Sequence, residues 1–428
     1  MKYFPILLAA SLFFTSCSLS SELNRVAHKT ILKDQHFKNA HTGIAIYDEA
    51  GDKLVYSYQS EKYFVPASNT KLASCYAAMK YLGDSIPALM YEVENDSTVK
   101  IQGTGDPTFL HPDFKLQPGW DFLKQFKRID FVSNNFNQFL GNGWAWNDYD
   151  EDYMAGRSQF PVYGNVVRFS EAKNGLTISP GYFKNNSQIA NDIKNGIAVS
   201  RPWSENNFVI KPGRSKYLEV PFLPADSTVV ALLSDTLHAS VFLTSPGNST
   251  ENLRDVLHSQ PLDSMLSRMM YRSDNFYAEQ SLLMVSQKVL GQMNDRSIIN
   301  KLLETEYKDM PQKPSWVDGS GLSRYNLFSP QDFIFILQKM KNEFGMERIK
   351  KILPTGGTGT ISSLYLDDAG SIFVKTGTLN GVVALSGYLY TKKNKLLLFS
   401  VLINNHRSSA SDIRKGIEKF IQSVRNKF

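Results

Sequence analysis

Hydrophobic and polar positions divide this 428-residue chain into three stretches of different character. In the first, residues 20–37 place Leu23, Val26, Ile31 and Leu32 at helical spacing. GIAIYDEAGDKLVYSYQ then reads as two strands around the turn Glu49–Asp52, a hairpin. FVPASNTKLAS leads into a helix expected to run from Ser68 to Gly83, where glycine offers a stop. From about Ile86 to Val256 the pattern becomes short strand-like runs (VVRF, LTIS, NFVIKPG, TVVALL) between clusters of Gly, Pro and Asn, with no fixed repeat. Helical spacing returns over Leu262–Met270 and Asn275–Leu290. Ser329-Pro330-Gln331-Asp332 supplies an N-cap, a proline at the first helical position and an acid in the first turn, opening the helix QDFIFILQKMKNEF. SIFVKTGTL, GVVALSGYLYT and KLLLFSVLIN follow as three apolar strands, the last two joined at Lys392–Asn394, and a final helix spans about Ser411–Arg425.

A hairpin and helix at one end, with three strands and helices at the other, combine into an α+β domain: one antiparallel sheet covered by helices, interrupted by a large β-rich insertion. The expected division is residues 17–85 and 257–428 for that domain and 86–256 for the insertion. At 42% hydrophobic and 21% charged the chain is globular and long enough for two or three domains. The formal charge of +6, without a Lys/Arg block interleaved with aromatics, excludes a nucleic-acid partner and supports at most weak attraction to anionic surfaces.

The N-terminus MKYFPILLAASLFFTSC reads as an export signal over residues 1–16: Lys2, an apolar run from Phe4 to Phe14, then small residues before Cys17. The run is too short for a permanent membrane span. Phe14-Thr15-Ser16-Cys17 also resembles a bacterial lipoprotein cleavage box, although leucine is usual where Phe14 stands. This implies a periplasmic protein anchored to a cell-envelope membrane through a lipid on Cys17. Cys75 would then be the sole remaining thiol, so no intramolecular disulfide can form.

Three short motifs carry candidate chemistry. Ser68 and Lys71 stand three residues apart, which on a helix puts their Cβ atoms on one face about 5–6 Å apart. A serine hydroxyl needs a base to act as a nucleophile, and lysine can be one when burial or a nearby cation lowers its pKa. A helix starting at Ser68 would also aim free N–H groups at the reacting atom. Alone the spacing is weak, since Ser97/Lys100 and Ser170/Lys173 match it in strand or loop context, and a capping serine beside a surface lysine is the simpler explanation of it. Ser273-Asp274-Asn275 is either an N-cap cluster or a proton-relaying serine with an asparagine that holds a substrate amide. Lys375-Thr376-Gly377 is either an exposed lysine beside a strand glycine or a fixed positive charge with a threonine for a substrate carboxylate. There Gly377 would admit a substrate backbone, and the N–H of Thr378 would join that of Ser68 in an oxyanion hole.

In this order, S-x-x-K, S-D-N and K-T-G form the signature of serine β-lactamases and penicillin-binding proteins. The long gap from Ser68 to Ser273, and the absence of any glutamate with an asparagine four residues on, depart from class A β-lactamases. The chain resembles instead the penicillin-binding protein 4 type of D-alanyl-D-alanine carboxypeptidases and endopeptidases, peptidase family S13. GTGDPT at 103–108, GWAWND at 143–148 and DGSGLSR at 318–324 are similar to further motifs of that family. The resemblance covers nearly the whole mature chain. It implies a transpeptidase-like fold with two nested subdomains in the insertion, and an acyl-enzyme on Ser68. Peptidoglycan stem peptides and β-lactams would be the ligands, and no cofactor is required. It further implies that Asp148 meets the ammonium and Arg324 the carboxylate of a diaminopimelate side chain. Asn380 stands where some members have glutamine.

Two other readings use the same residues: a β-lactamase or esterase on the same scaffold, and a non-catalytic module that binds muropeptides. The seven histidines lack H-E-x-x-H, two cysteines cannot build a zinc cluster, and G-x-S-x-G is missing, which argues against a metal site or an α/β-hydrolase. LPTGGTGT at 353–360 lacks the lysine of a phosphate loop and is expected beside the cleft.

Overall fold

In a computed structural model the chain is described over residues 21–172, 175–191, 193, 195–245 and 253–428. The expected export signal and Cys17 lie outside these residues. A helix over 21–27 (α1) runs into a π-turn at His28–Leu32. His41–Asp48 (β1) and Lys53–Tyr58 (β2) form the expected hairpin. Lys71–Tyr81 (α2) begins three residues later than expected, because Ala67–Thr70 is a 3-10 turn.

The insertion is bounded by a pair of antiparallel strands. Ser85–Asn95 (β3) leads into it and Asp255–Pro261 (β13) leads out, so the expected limit at 256 falls inside a strand. With Thr98–Gly103 (β4), Arg128–Val132 (β5) and Ser240–Thr244 (β12) they build a mixed sheet of order β12-β5-β4-β3-β13. Pro118–Leu123 (α3) connects β4 to β5.

Between β5 and β12 the chain makes two three-stranded sheets. Tyr217–Pro221 (β11), Val166–Ala172 (β6) and Gly175–Ser179 (β7) form one. Ser187–Ile189 (β8), Phe208–Pro212 (β10) and Ile197–Ser200 (β9) form the other. The strand order is nested, yet all three sheets share one hydrophobic cluster that includes Val99, Phe131, Phe160, Phe169 and Phe208. TVVALL, read as a strand, lies in the helix Asp226–Leu237 (α4). Val229, Leu232 and Leu233 bury one face at i, i+3, i+4 spacing, and a run that short does not separate strand from helix by periodicity.

Leu262–Arg272 (α5), Asn275–Leu290 (α6) and Asp295–Glu304 (α7) follow, the last not foreseen. Pro330–Ile352 (α8) opens with a reciprocal capping box: Ser329 Oγ accepts from Asp332 N (3.1 Å) and Asp332 Oδ2 from Ser329 N (2.8 Å). It continues past Phe344 by bending at Gly345, whose φ of 73° a side chain would oppose. Ile372–Leu379 (β14), Val382–Tyr390 (β15) and Leu396–Asn404 (β16) join the hairpin in an antiparallel sheet of order β14-β15-β16-β1-β2, and Ala410–Lys427 (α9) closes the chain.

Successive residues of this sheet face opposite layers. Ile44, Phe399, Val401 and Ile403 pack with α1 and α9, while Ala45, Tyr47, Leu398 and Leu402 pack with α2, α5, α6 and α8. Both faces are covered, which is why β15 and β16 read as continuous apolar runs. Ser68, Ser273 and Lys375 come from three elements at one end of this layered core: the 3-10 turn, the α5–α6 junction and β14.

Candidate active site

The turn that carries Ser68 is wedged between two glycines. Ala67 has φ +47°, a strained value for a residue with a side chain. A Cβ on Gly321 would lie 1.9 Å from the Ala67 carbonyl oxygen, and one on Gly377 2.7 Å from that of Pro66. The side chain missing at Gly377 thus makes room for the protein's own turn, a use of this glycine that the sequence reading did not foresee. In a 3-10 turn, residues i and i+3 eclipse, so Ser68 and Lys71 come onto one side. Ser68 keeps partial exposure between buried neighbours, and no capping bond from a side chain is present at this turn.

Lys71 is fully buried and its Nζ has three polar neighbours: Ser68 Oγ (2.9 Å), Asn275 Oδ1 (2.6 Å) and the Ser320 carbonyl (2.7 Å). An amide oxygen and a carbonyl oxygen can only accept. A neutral amine has two hydrogens, which those two atoms take, and its lone pair is then left facing the Ser68 hydroxyl. Burial pulls the Lys71 amine down from 10.5 to about 8, with Asp318, Asp274 and Glu279 opposing the shift. This geometry fits a general base.

Lys375, also fully buried, donates to Ser273 Oγ (2.9 Å) and to the Thr376 carbonyl (2.7 Å). Burial, and then the charge of Lys71, hold it well below the ordinary lysine range. Asn69 fixes the strand behind it, its amide within reach of Ser386 Oγ (2.7 Å) and the Lys375 carbonyl (2.8 Å). Ser273 ends α5 in the left-handed region (φ +61°), and Asp274 caps α6 by accepting from Tyr277 N at 3.0 Å. Arg272 is paired with Asp113 of the insertion. Asn275 is also used by the protein itself: its Oδ1 is taken by Lys71 and one hydrogen of its Nδ2 goes to the Tyr153 carbonyl (2.9 Å), which leaves the second N–H of the amide.

Thr376, partly exposed, donates to Thr360 Oγ1 at 2.7 Å, which puts the glycine-rich 353–360 loop beside the site. Thr378 is exposed and its Oγ1 accepts from Arg414 (2.7 Å). Arg324, also exposed, donates to the carbonyl of Asn380 in the β14–β15 turn (2.9 Å). Asp148 is half-buried within an acidic stretch, and burial, helped by the Asp148 carboxylate, pushes the Tyr153 phenol up to about 12. Its motif docks on the 318–324 loop through Trp144, which donates to Asp318.

Sequence reasoning missed Glu279, Ser320, Arg157 and Tyr153. Glu279 Oε1 accepts from Ser320 N (2.7 Å), and its Oε2 accepts from Arg157 Nη1 (3.2 Å). Two charges inside the otherwise apolar runs NFYAEQSLLMV and YMAGRSQFPV were the available signal. The competing pairs Ser97/Lys100 and Ser170/Lys173 start in a turn and on β6, and Lys100 bonds to Glu94 (3.1 Å). A cleft of about 970 Å³ has Arg157, Asp295, Tyr149 and Trp316 in its walls. No helix among the described residues is long and apolar enough to cross a membrane.

A model of the D-Ala-D-Ala carboxypeptidase 3 (S13) family matches residues 25–424. A D-alanyl-D-alanine carboxypeptidase of an Actinomadura species is 24% identical over 441 residues, spanning 89% of this chain and 80% of that protein. Penicillin binding protein 4 of Haemophilus influenzae superposes with a TM-score of 0.69 at 19% identity, covering 94% of this chain and 98% of its own. A penicillin G-acylated predatory endopeptidase of Bdellovibrio bacteriovorus superposes with a TM-score of 0.51 at 18% identity, over 90% of this chain and 92% of its own. The two structural likenesses establish a shared α+β fold.

Proposed function

The chain belongs to the D-Ala-D-Ala carboxypeptidase 3 (S13) family, and on that premise we propose that it cleaves D-alanyl bonds of peptidoglycan stem peptides by acyl transfer through Ser68. Neutral Lys71 takes the Ser68 proton as Oγ attacks the carbonyl carbon between two D-alanines, or that of a crosslink. The tetrahedral oxyanion is received by the N–H groups of Ser68 and Thr378. As it collapses, the C–N bond breaks. The leaving amine takes a proton delivered through Ser273, whose Oγ is held by Lys375 Nζ at 2.9 Å. Water then attacks the acyl-enzyme ester, releasing the shortened peptide and returning the proton to Ser68. Every step uses the protein's own groups and water.

The observation that carries this reading is the environment of Lys71 Nζ: two obligate acceptors and the Ser68 hydroxyl, with the amine buried and pulled down to about 8. β-Lactams present a strained amide to the same hydroxyl and form an ester that leaves slowly. The penicillin-acylated relative supports this ligand class. Asp148, in its acidic stretch, offers a site for a substrate ammonium, and Arg324, held over the β14–β15 turn, one for a carboxylate. A cell-wall peptidase works outside the cytoplasm. Cys17 is the lipid anchor in this reading, which palmitate labelling of wild type against Cys17→Ala would test.

The deciding experiment is labelling with fluorescent penicillin alongside release of D-alanine from a muropeptide pentapeptide. Wild type should do both and Ser68→Ala neither. Labelling that survives in Ser68→Ala would end the assignment, and rapid nitrocefin turnover without D-alanine release would transfer it to a β-lactamase.

A further inference from the structure

Both acceptors that orient Lys71 are themselves held from the insertion. Asn275 takes one Lys71 hydrogen on Oδ1 and is fixed by its Nδ2, which donates to the Tyr153 carbonyl at 2.9 Å. The Ser320 carbonyl takes the other, and the N–H of the same residue is anchored 2.7 Å from Glu279 Oε1. Glu279 in turn is bound by Arg157 Nη1 at 3.2 Å, which also reaches Asp295 Oδ2 at 2.6 Å. The rest of the guanidinium closes on the carbonyls of Gln138 (3.0 Å) and Leu140 (3.0 Å). Tyr153, Arg157, Gln138 and Leu140 belong to the insertion, whereas Glu279 and Asp295 lie on α6 and α7. Arg157 and Glu279 are each 1% exposed, so both are held by protein groups.

We propose that the insertion sets the direction of the Lys71 lone pair, with Glu279 and Arg157 as positioning residues that act through the Ser320 peptide, and Tyr153 as a second support acting through Asn275. This rests on the reading of Lys71 as base. An amine with both hydrogens engaged has one free direction, and here it faces Ser68 Oγ. If the Ser320 peptide turns, one hydrogen is released and the lone pair swings away from the nucleophile. Glu279 cannot drift, because a buried carboxylate that loses its guanidinium is left uncompensated. The insertion therefore contributes to the chemistry as well as to substrate choice.

Charge accompanies position. Asp318, Asp274 and Glu279 all favour the charged form of Lys71, against burial, and Lys375 stands near it. Glu279 is itself raised by burial first and by Asp318 second, while Arg157 pulls it back. Removing its negative charge should thus lower the Lys71 pKa further.

The test compares Glu279→Ala, Glu279→Gln and Arg157→Lys with wild type. The readouts are second-order acylation by a small β-lactam across pH, and pentapeptide cleavage. In Glu279→Ala the Ser320 N–H loses its acceptor, and acylation should fall roughly 10- to 100-fold, as for a small misplacement of a catalytic group. The fall should be equal on both ligands, and on the pentapeptide it should lie in kcat and not in KM. Glu279→Gln restores the acceptor without the charge. It should recover most of the rate at high pH while its acid limb sits at lower pH than that of wild type. Arg157→Lys keeps a cation but cannot span the same four partners, and should lose rate on both ligands. If the alanine variant does not fold, the other two decide. Wild-type rates in the folded variants, a loss confined to the peptide, or an unmoved acid limb in Glu279→Gln would overturn the proposal. Absence of acylation in wild type would instead overturn the function it rests on.

Discussion

Trp144 donates its indole N–H to Asp318 Oδ2 at 3.0 Å, joining the insertion to the loop that supplies Arg324. The same carboxylate accepts from the N–H groups of Gly321 (2.8 Å) and Ser323 (2.6 Å) and from Asn326 Nδ2 (2.7 Å). Asp318 is therefore the knot of the 318–326 loop, and burial raises its pKa. Trp144→Phe keeps the ring and removes the donor. A hydrogen bond to a charged group is worth about 1.5–3 kcal/mol, so thermal unfolding should shift downward accordingly. An unchanged melting temperature would show that the remaining three donors are sufficient for Asp318.

The pH profile of acylation should carry the signature of Lys71. The reactive form is the neutral amine, so the rate rises with pH and levels near pH 8, the value to which burial brings this lysine. Below that, each pH unit should cost about tenfold in rate, as for any base that must be unprotonated. The folded protein binds this proton less tightly than the unfolded chain does. This group's contribution to stability therefore improves with pH between about 8 and 10.5, as the unfolded chain gives up the proton. Lys71→Arg keeps the charge and cannot release it, so acylation should be lost at every pH. Stopped-flow penicillin acylation from pH 5 to 9 measures both, and a flat profile would assign Lys71 a purely electrostatic role.

Gly377→Ala should damage the site without touching a reacting group. The new methyl would meet the Pro66 oxygen at 2.7 Å and the Cβ atoms of Ala67 and Ala384 at 3.1 Å. Overpacking of this kind costs about 1–3 kcal/mol, and here the yielding element is the turn beneath Ser68. Both the denaturation midpoint and the acylation rate should fall. A variant with lowered stability but full acylation would mean that β14 yields and the turn does not.

Asp148→Asn separates recognition from catalysis. A carboxylate facing an ammonium contributes about 1.5–3 kcal/mol, so kcat/KM on diaminopimelate-containing muropeptides should drop roughly 10- to 150-fold. Acylation by a small β-lactam should hardly change, because the support of Asn275 comes from the Tyr153 carbonyl and not from the Asp148 side chain. Equal losses on both ligands would make Asp148 structural. No loss on either would place the ammonium site elsewhere.

What the sequence by itself determined about this protein was whatever local spacing encodes. The hairpin, the three apolar strands and the capping box at Ser329 follow from contacts between residues a few positions apart. The pairing of Ser68 with Lys71 is equally local, and the family motifs named the partners that complete it. Tertiary structure decided the rest. The turn at Ala67 is 3-10 because Gly321 and Gly377 let distant backbone close around it, and no local pattern announces that. TVVALL is helical because a shared core in the insertion takes Val229, Leu232 and Leu233 on one face. The direction of the Lys71 lone pair depends on Asn275 and Ser320, 204 and 249 residues away. Asn275 is held by the Tyr153 carbonyl of the insertion, and Ser320 by Glu279, which Arg157 of the insertion binds. A buried amine surrounded by obligate acceptors has its orientation set by where packing puts each acceptor, and that is known only once the chain has closed on itself.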